Sequence, residues 1–220
     1  MSGCPHTESA VLAGDLASHP CAASFAEQVW RVHRRYASEV VGGFELCPFM
    51  HDPDTAFGVF CVMLERAPQL DTALAQIGAA ATSVVHLVYP LVSEGARDFE
   101  RFGSKVRDEL MRREAEAPVH ASFHPGMEGG PESSGRLVGL LRRAPDPFVQ
   151  IVPAGLHKGG TVFMDAATFD AKEFLNQPLD PTSSNFKRLD ADAVSSIERL
   201  QHEIRADRDA VYAPFLEQLL

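Results

Sequence analysis

The chain has 220 residues, of which 45% are hydrophobic, so it is long and apolar enough to bury one compact core. Its 30 acidic residues outnumber its 20 basic residues, for a formal net charge of −10, and no basic stripe offsets this balance. A nucleic-acid backbone would be repelled by such a surface, and the longest apolar run, residues 84–92, is far shorter than a membrane-spanning helix of roughly 20 residues. We therefore expect neither a nucleic-acid partner nor a membrane span.

The amino terminus and the cysteines predict the compartment. The first twenty residues contain no Lys or Arg and no continuous apolar block, which is not typical of a secretory signal. The four cysteines lack the close spacing of a disulfide framework or a CxxC zinc site, which favours reduced thiols. We expect a cytoplasmic protein. The cysteines are Cys4, Cys21, Cys47 and Cys61.

The first predicted helix begins shortly after residue 22. Residues 1–22 show no helical or strand period, and we predict that they form a poorly ordered arm before a single domain of residues 23–220. Ser24 and Glu27 have the spacing of a capping box, and the glycine pair at 42–43 predicts the end of the helix. Apolar residues recur between them at helical spacing. These residues are Phe25, Val29, Val32, Tyr36 and Val40.

The rest of the chain alternates between short apolar runs and amphipathic stretches. The apolar runs predict strands at 57–64, 84–92, 119–123, 148–152 and 161–164. The amphipathic stretches predict a small helix capped by Asp71, a long helix at 94–116 and a helical turn around 137–141. They also predict two final helices at 191–206 and 207–219, with a break or kink near Pro214. These segments are too irregular for a doubly wound parallel sheet. We predict an α+β fold, with a small mixed β-sheet packed by amphipathic helices and a C-terminal helical segment.

The loop that follows the first helix carries unusual chemistry. Pro48 forces Cys47 into an extended conformation, so the sulfur projects from a turn. Cys47 and His51 have Cys-x-x-x-His spacing, and a thiolate with an imidazole suits zinc or iron, although two ligands do not complete a site. His120 and His124 are four residues apart at the end of a strand and share one face if the strand persists. An alternative interpretation makes His51 an ordinary surface histidine.

Two other chemistries are open for Cys47. It is a candidate nucleophile with His124 as its base, although a position after a helix C-terminus disfavours a lowered thiol pKa. Alternatively, Cys47 or His124 is the axial ligand of a heme iron. Arg142 and Arg143 would hold a carboxylate or the heme propionates, unless they only form a solvated turn.

Three short motifs, in this order, resemble a known family. They are Leu-Cys-Pro-Phe at 46–49, Ala-Ser-Phe-His-Pro at 121–125 and Arg-x-Pro-x-Pro at 143–147. Together they resemble the bacterial family of unknown function numbered 1415. The chain departs from that pattern at Asp146, where the family tends to have tyrosine, and in the glycine-rich stretch 126–135. This resemblance implies no activity.

A second resemblance suggests an activity. The Cys-Pro-Phe element at 47–49 is similar to that of the YqcI/YcgG group, some members of which are heme-dependent enzymes that hydroxylate amine or guanidine nitrogens. It implies a heme-dependent oxygenase, or a related redox enzyme, that acts on a small nitrogen-containing metabolite in a biosynthetic pathway. Cys47 or His124 would then be the iron ligand and the catalytic centre. The further cofactor contacts would be His51, His120, Arg142 and Arg143. The alternatives are a cofactor-free Cys/His hydrolase or transferase and a non-catalytic protein that binds a small ligand.

Overall fold

A computed structural model describes residues 10–44, 46, 58–80, 84–113, 118–130, 134–152 and 189–220. The strands are β1 (Val11–Ala13), β2 (Val59–Met63), β3 (Val85–Val88), β4 (Val119–Phe123) and β5 (Phe148–Val152). The helices are α1 (Ala22–Tyr36), which continues as a π-helical segment (Ala37–Gly42), α2 (Leu70–Ala79), α3 (Ala96–Arg113), α4 (Ser134–Leu141) and α5 (Ala191–Leu219).

The five strands form one mixed sheet in the order β1-β2-β3-β5-β4. β1, β2 and β3 are parallel, whereas β5 is antiparallel to both of its neighbours. The register places Val62 beside Val88 and Val88 beside Phe148. The mixed sheet, the amphipathic helices and the long C-terminal helix confirm the predicted α+β fold.

Each face of the sheet is covered by helices. Alternation along β2 directs Phe60 and Val62 toward the core that contains α1 and α5, and it directs Cys61 and Met63 toward the core that contains α2 and α3. All four residues are buried. The sequence of β2 is therefore continuously apolar, because helices cover both faces of the strand.

The amino-terminal prediction is wrong for residues 10–22. Instead of an arm, this stretch contains β1, and the Leu64 N–H donates to the Ala13 carbonyl at 2.7 Å. The predicted capping box is also wrong, because α1 begins at Ala22 with Cys21 as its N-cap, which leaves Ser24 and Glu27 inside the helix. Residues 1–9, and the predicted strand at 161–164, lie outside the described residues.

The C-terminal segment is one helix, not two. Asp190 caps it by accepting a hydrogen bond from the Ala193 N–H at 2.8 Å. Pro214 lies inside α5 and removes one backbone donor, but the helix continues past it. Tyr212 and Leu219, on either side of the proline, are both buried in the core, so tertiary packing outweighs the local break.

Within the described part of the chain, no helix is both long enough and apolar enough to cross a membrane.

Candidate functional site

The most heavily bonded polar cluster surrounds Asp146, two residues before β5. Its side chain has no exposure to solvent. His33 of α1 donates from Nε2 to Oδ2 at 3.0 Å, and the Tyr212 hydroxyl of α5 donates to the same oxygen at 2.8 Å. Arg208, one turn earlier on α5, donates from Nε to Oδ1 at 2.8 Å. Both carboxylate oxygens are therefore satisfied.

The charges of the Asp146 cluster compensate one another. Burial alone would raise the pKa of Asp146, but the hydrogen bond from His33 and the positive charge of Arg208 outweigh it, and the pKa is lowered. Burial also raises the pKa of Tyr212 well above its ordinary value. Arg208 further donates to the Pro90 carbonyl at 3.1 Å and lies over the Tyr212 ring at 4.6 Å.

This cluster is closed to a substrate. The His33 side chain is buried, and it lies edge-on to Phe60 and Phe148 on the sheet. The hydrogen bonds join α1, the end of β3, the start of β5 and α5. We interpret the Asp146 cluster as the structural link that fixes the two helices on the sheet.

The predicted site residues Cys47 and His51 lie outside the described residues. The described neighbour Leu46 donates from its backbone N–H to the Val41 carbonyl at 2.8 Å. Leu46 also packs against the core on the α1 side of the sheet.

His124 lies directly after β4, and backbone groups occupy both of its ring nitrogens. Nδ1 accepts from the Gly126 N–H at 2.9 Å, which leaves Nε2 to donate to the Glu94 carbonyl at 2.9 Å. Burial lowers the pKa of His124, in keeping with a neutral ring. In this arrangement neither nitrogen is available to ligate iron or to take a proton from Cys47.

Arg143 is likewise engaged by the protein itself. Its Nε donates to the Met127 carbonyl at 2.9 Å, and its Nη2 donates to the Gly129 carbonyl at 2.8 Å. Nη1 lies 3.5 Å from a carboxylate oxygen of Glu198 on α5. His124 and Arg143 therefore shape the same stretch of chain after β4, and their polar atoms already have partners.

His120 on β4 differs from His124 in the hydrogen bonding of its ring. Strand alternation places it on the same face as Ser122, which packs against Gly103 of α3. Burial lowers the pKa of His120, and the positive charges of Arg107 and Arg142 lower it further. In the described part of the chain, no hydrogen bond engages the His120 ring, which is therefore a neutral imidazole with available nitrogens.

Arg142 is the second predicted residue with available polar atoms. It follows α4 directly, and its backbone carbonyl accepts a hydrogen bond from the His124 N–H at 3.1 Å. Burial lowers the pKa of the Arg142 guanidinium, and the negative charge of Glu100 opposes that shift. Among the described residues, none forms a hydrogen bond or ion pair with this guanidinium. By contrast, Arg107 is paired with Asp108 at 2.6 Å.

His120 and Arg142 together form the candidate site. The pair combines a neutral imidazole with a partly buried cation that has no partner among the described residues. His120 lies on the side of edge strand β4 that faces α3, and the charge of Arg142 lowers the pKa of His120. A guanidinium binds a carboxylate or phosphate through two parallel hydrogen bonds, and a neutral imidazole accepts a proton or ligates a metal. Such a pair is suited to binding a small anion next to a base.

Comparison with other proteins adds no family assignment. No family model, curated protein or solved structure matches the chain. The resemblances to family 1415 and to the YqcI/YcgG group therefore remain predictions. Among the described residues, no group of three or more His, Cys, Asp or Glu side chains is placed to hold a metal ion.

The sequence analysis missed the Asp146 cluster. One signal was present, because His33 falls on the buried face of α1 next to Val32, where a polar side chain requires a partner. The partner itself lies 113 residues away in the chain. No sequence period connects two such distant positions, so the pairing becomes visible only in the fold.

Proposed function

We propose that the protein is an enzyme that acts on a small carboxylate-bearing metabolite, which Arg142 holds beside His120. The observation that carries this proposal is the partly buried Arg142 guanidinium, which has no hydrogen-bond or ion-pair partner among the described residues. Withdrawing a charge from water is unfavourable unless an opposite charge compensates it. A substrate carboxylate would supply that compensation, and its two oxygens fit the planar fork of arginine.

His120 is the histidine that we assign to the reaction. The sequence left His120 and His124 as alternatives for the reacting histidine, and the two rings differ in their hydrogen bonds. The nitrogens of His124 are occupied by Gly126 and Glu94, whereas those of His120 are available. With its lowered pKa, His120 is neutral near pH 7 and can take a proton from a bound substrate.

For the type of reaction, we retain heme-dependent oxidation of a substrate nitrogen, which the Cys-Pro-Phe resemblance implies. The described residues fit such a cofactor in part. His120 and Arg142 have free polar atoms for an iron or a propionate, whereas His124 and Arg143 do not. Of Cys47 and His124, which the sequence left as alternative iron ligands, we retain Cys47, and His120 would have a supporting role. When bound, the heme would supply the activation of oxygen.

A ligand screen tests the carboxylate site. Thermal unfolding is measured with a panel of amino acids, keto acids and the corresponding amines, for the wild type, Arg142→Gln and the control Arg101→Gln. Arg101 is an exposed arginine of α3 that is paired only with Asp98. We expect carboxylates to raise the melting temperature of the wild type and of the control, but not of Arg142→Gln. The proposal fails if no carboxylate binds, or if Arg142→Gln responds like the wild type.

A separate experiment tests the heme chemistry. Protein that is expressed with a heme precursor should show a Soret band, and the band should move in Cys47→Ala and stay in place in His124→Gln. A protein that neither carries heme nor binds added hemin removes the heme part of the proposal. The carboxylate site would still be judged by the ligand screen.

A further inference from the structure

A second polar site, which the proposed function does not use, lies where the parallel strands end. β1, β2 and β3 all point the same way, so the residues that follow them meet at one edge of the sheet. Gly14 follows β1, Glu65 comes two residues after β2, and Tyr89 follows β3. Alternation from Cys61 and Met63 places Glu65 on the face that carries α2 and α3.

Glu65 is a buried carboxylate with one occupied oxygen. Its exposed fraction is 1%, and Oε2 accepts a hydrogen bond from the Gln69 N–H at 2.7 Å. Gln69 is the N-cap residue of α2, and Asp71, the cap that the sequence predicted, lies inside the helix. A hydrogen bond from the Thr72 side chain also acts on Glu65 and opposes the effect of burial on its pKa. The other oxygen, Oε1, is buried, and none of the described residues forms a hydrogen bond with it.

Tyr89 provides the second unpaired atom. The residue is fully buried, and its ring packs edge-on against Phe99 and Phe102 with centroid distances of 5.6 Å. Within the part of the chain that the structure describes, its hydroxyl has no hydrogen-bond partner. Tyr89 packs in the same core as Cys61 and Met63, on the face where alternation places Glu65, and burial together with the charge of Glu65 raises the pKa of Tyr89.

Gly14 shows that the chain is shaped around the Glu65 side chain. Its φ is +96°, a conformation that favours glycine. A Cβ atom at this position would lie 2.6 Å from Cγ of Glu65 and 2.8 Å from the Leu64 carbonyl oxygen. The absence of a side chain at Gly14 therefore leaves room for the carboxyl group at the sheet edge.

The two unpaired atoms differ in what they require. Oε1 of Glu65 requires a donor, and the Tyr89 hydroxyl requires an acceptor for its hydrogen. A buried polar atom without a partner is costly, and two such atoms in one place are rare in proteins. A water molecule can accept from the hydroxyl and donate to the carboxylate at once, and buried waters commonly fill this role.

We propose that Glu65 and Tyr89 bind one internal water molecule, which joins the ends of β2 and β3 to the N-terminus of α2. A metal ion would not fit equally well, because Glu65 is the single buried carboxylate at this edge among the described residues and the Tyr89 hydroxyl would still lack an acceptor. The buried thiol of Cys61 adds no charge, since burial raises its pKa to about 11.

A crystal structure of the wild-type protein tests the proposal directly. It should show one ordered water within about 2.7–3.0 Å of both Oε1 of Glu65 and the Tyr89 hydroxyl. A direct contact between these two atoms, or an empty space between them, would overturn the proposal.

A pair of tyrosine variants provides a test in solution. Tyr89→Phe removes the hydroxyl, and Tyr36→Phe is the matched control, because the hydroxyl of buried Tyr36 donates to the Leu141 carbonyl at 3.0 Å. If the water is present, both variants lose a satisfied hydrogen bond, and both should unfold about 5- to 10-fold more readily. If Tyr89 is unpaired, Tyr89→Phe would be as stable as the wild type or more stable, which would contradict the proposal.

Discussion

The Asp146 cluster and the Arg142–His120 pair both place charged or titratable groups out of water, but they complete their bonding differently. Asp146 accepts hydrogen bonds from three side chains on two helices. Arg142 and His120 have no such partners in the described part of the chain. At Asp146 the opposite charge comes from the protein, whereas at Arg142 we propose that it comes from a ligand.

The difference gives a physical criterion for separating structural from functional residues. A buried charge that is fully bonded contributes to the fold and has no capacity left for a ligand. A partly buried charge without a partner costs stability, and ligand binding is a common reason for that cost. The following predictions test this division, starting with the largest expected effect.

Removal of the Asp146 carboxylate should destabilise the protein most. Asp146→Ala leaves Arg208 and His33 without their acceptor, and we expect a loss of about 3–5 kcal/mol in the free energy of unfolding, measured in urea. Asp98→Ala, on the exposed surface of α3, is the control and should change it by less than about 0.5 kcal/mol. If the two variants lose similar stability, the structural role of Asp146 is wrong.

The same cluster should make the fold sensitive to acid. The pKa of Asp146 is lowered in the folded state, so its contribution is complete above the ordinary aspartate pKa of about 3.9 and is lost as the pH falls through the folded value. Asp146→Asn should therefore flatten the acid side of the stability curve. The comparison is made by urea unfolding at a series of pH values. An unchanged acid slope would contradict the assignment.

Arg142→Gln should impair ligand binding without impairing the fold. We expect carboxylate affinity to fall about 10- to 100-fold, since one charge-assisted bidentate contact is removed. The free energy of unfolding should stay the same or rise, because an unpaired, partly buried charge is lost. Arg143→Gln is the opposite control, because it removes the donors to Met127 and Gly129 and should cost about 1.5–3 kcal/mol of stability. Calorimetry and urea unfolding of both variants measure the two effects.

Substitution of His124 should lower stability, whereas substitution of His120 should affect function. Both effects should be smaller than those at the two arginines. His124→Ala loses its contacts with Gly126 and Glu94 and should destabilise the protein by about 1–2 kcal/mol. His120→Ala should cost less than about 0.5 kcal/mol and should alter activity or ligand binding instead. Chemical unfolding of the two variants side by side decides this. Equal losses of stability would remove the distinction.

The smallest expected effect concerns Glu65. Burial raises its pKa, so the folded protein binds this proton more tightly than the unfolded chain does. The stability from this group is complete below the ordinary glutamate pKa of about 4.3 and is lost as the pH rises through the folded value. Glu65→Gln should remove this dependence, which is opposite in sign to that of Asp146. Unfolding curves of the variant and the wild type over the same pH series test it.

The sequence predicted the strands near the middle of the fold well. The bounds of β4 and β5 agree with the prediction, because each is a short apolar run next to a proline or a histidine turn. β1 was missed because it has only three residues, and its pairing with β2 joins segments almost fifty residues apart. Pro214 led to the prediction of a break or kink, because proline disfavours a helix interior. The helix nevertheless continues through it, since the residues on either side are buried in the core.

The candidate site was predicted only in part. The sequence identified His120, His124, Arg142 and Arg143 as chemically interesting, but it could not show which of them already had partners. That information depends on backbone carbonyls such as those of Glu94, Met127 and Gly129, which any sequence contains. Cys47 and His51 stay predictions, since they lie outside the described residues.

The position of α5 has a consequence for the synthesis of the protein. Asp146 and His33 leave the ribosome well before Arg208 and Tyr212. The latter two residues are two of the three side chains that donate hydrogen bonds to the Asp146 carboxylate. Until then the sheet lacks its last helix, and the apolar face that packs against Ile204 and Leu219 remains uncovered. During synthesis, the strands are therefore complete before α5 can cover one face of the sheet. A chaperone could bind the apolar surface that is exposed at that stage.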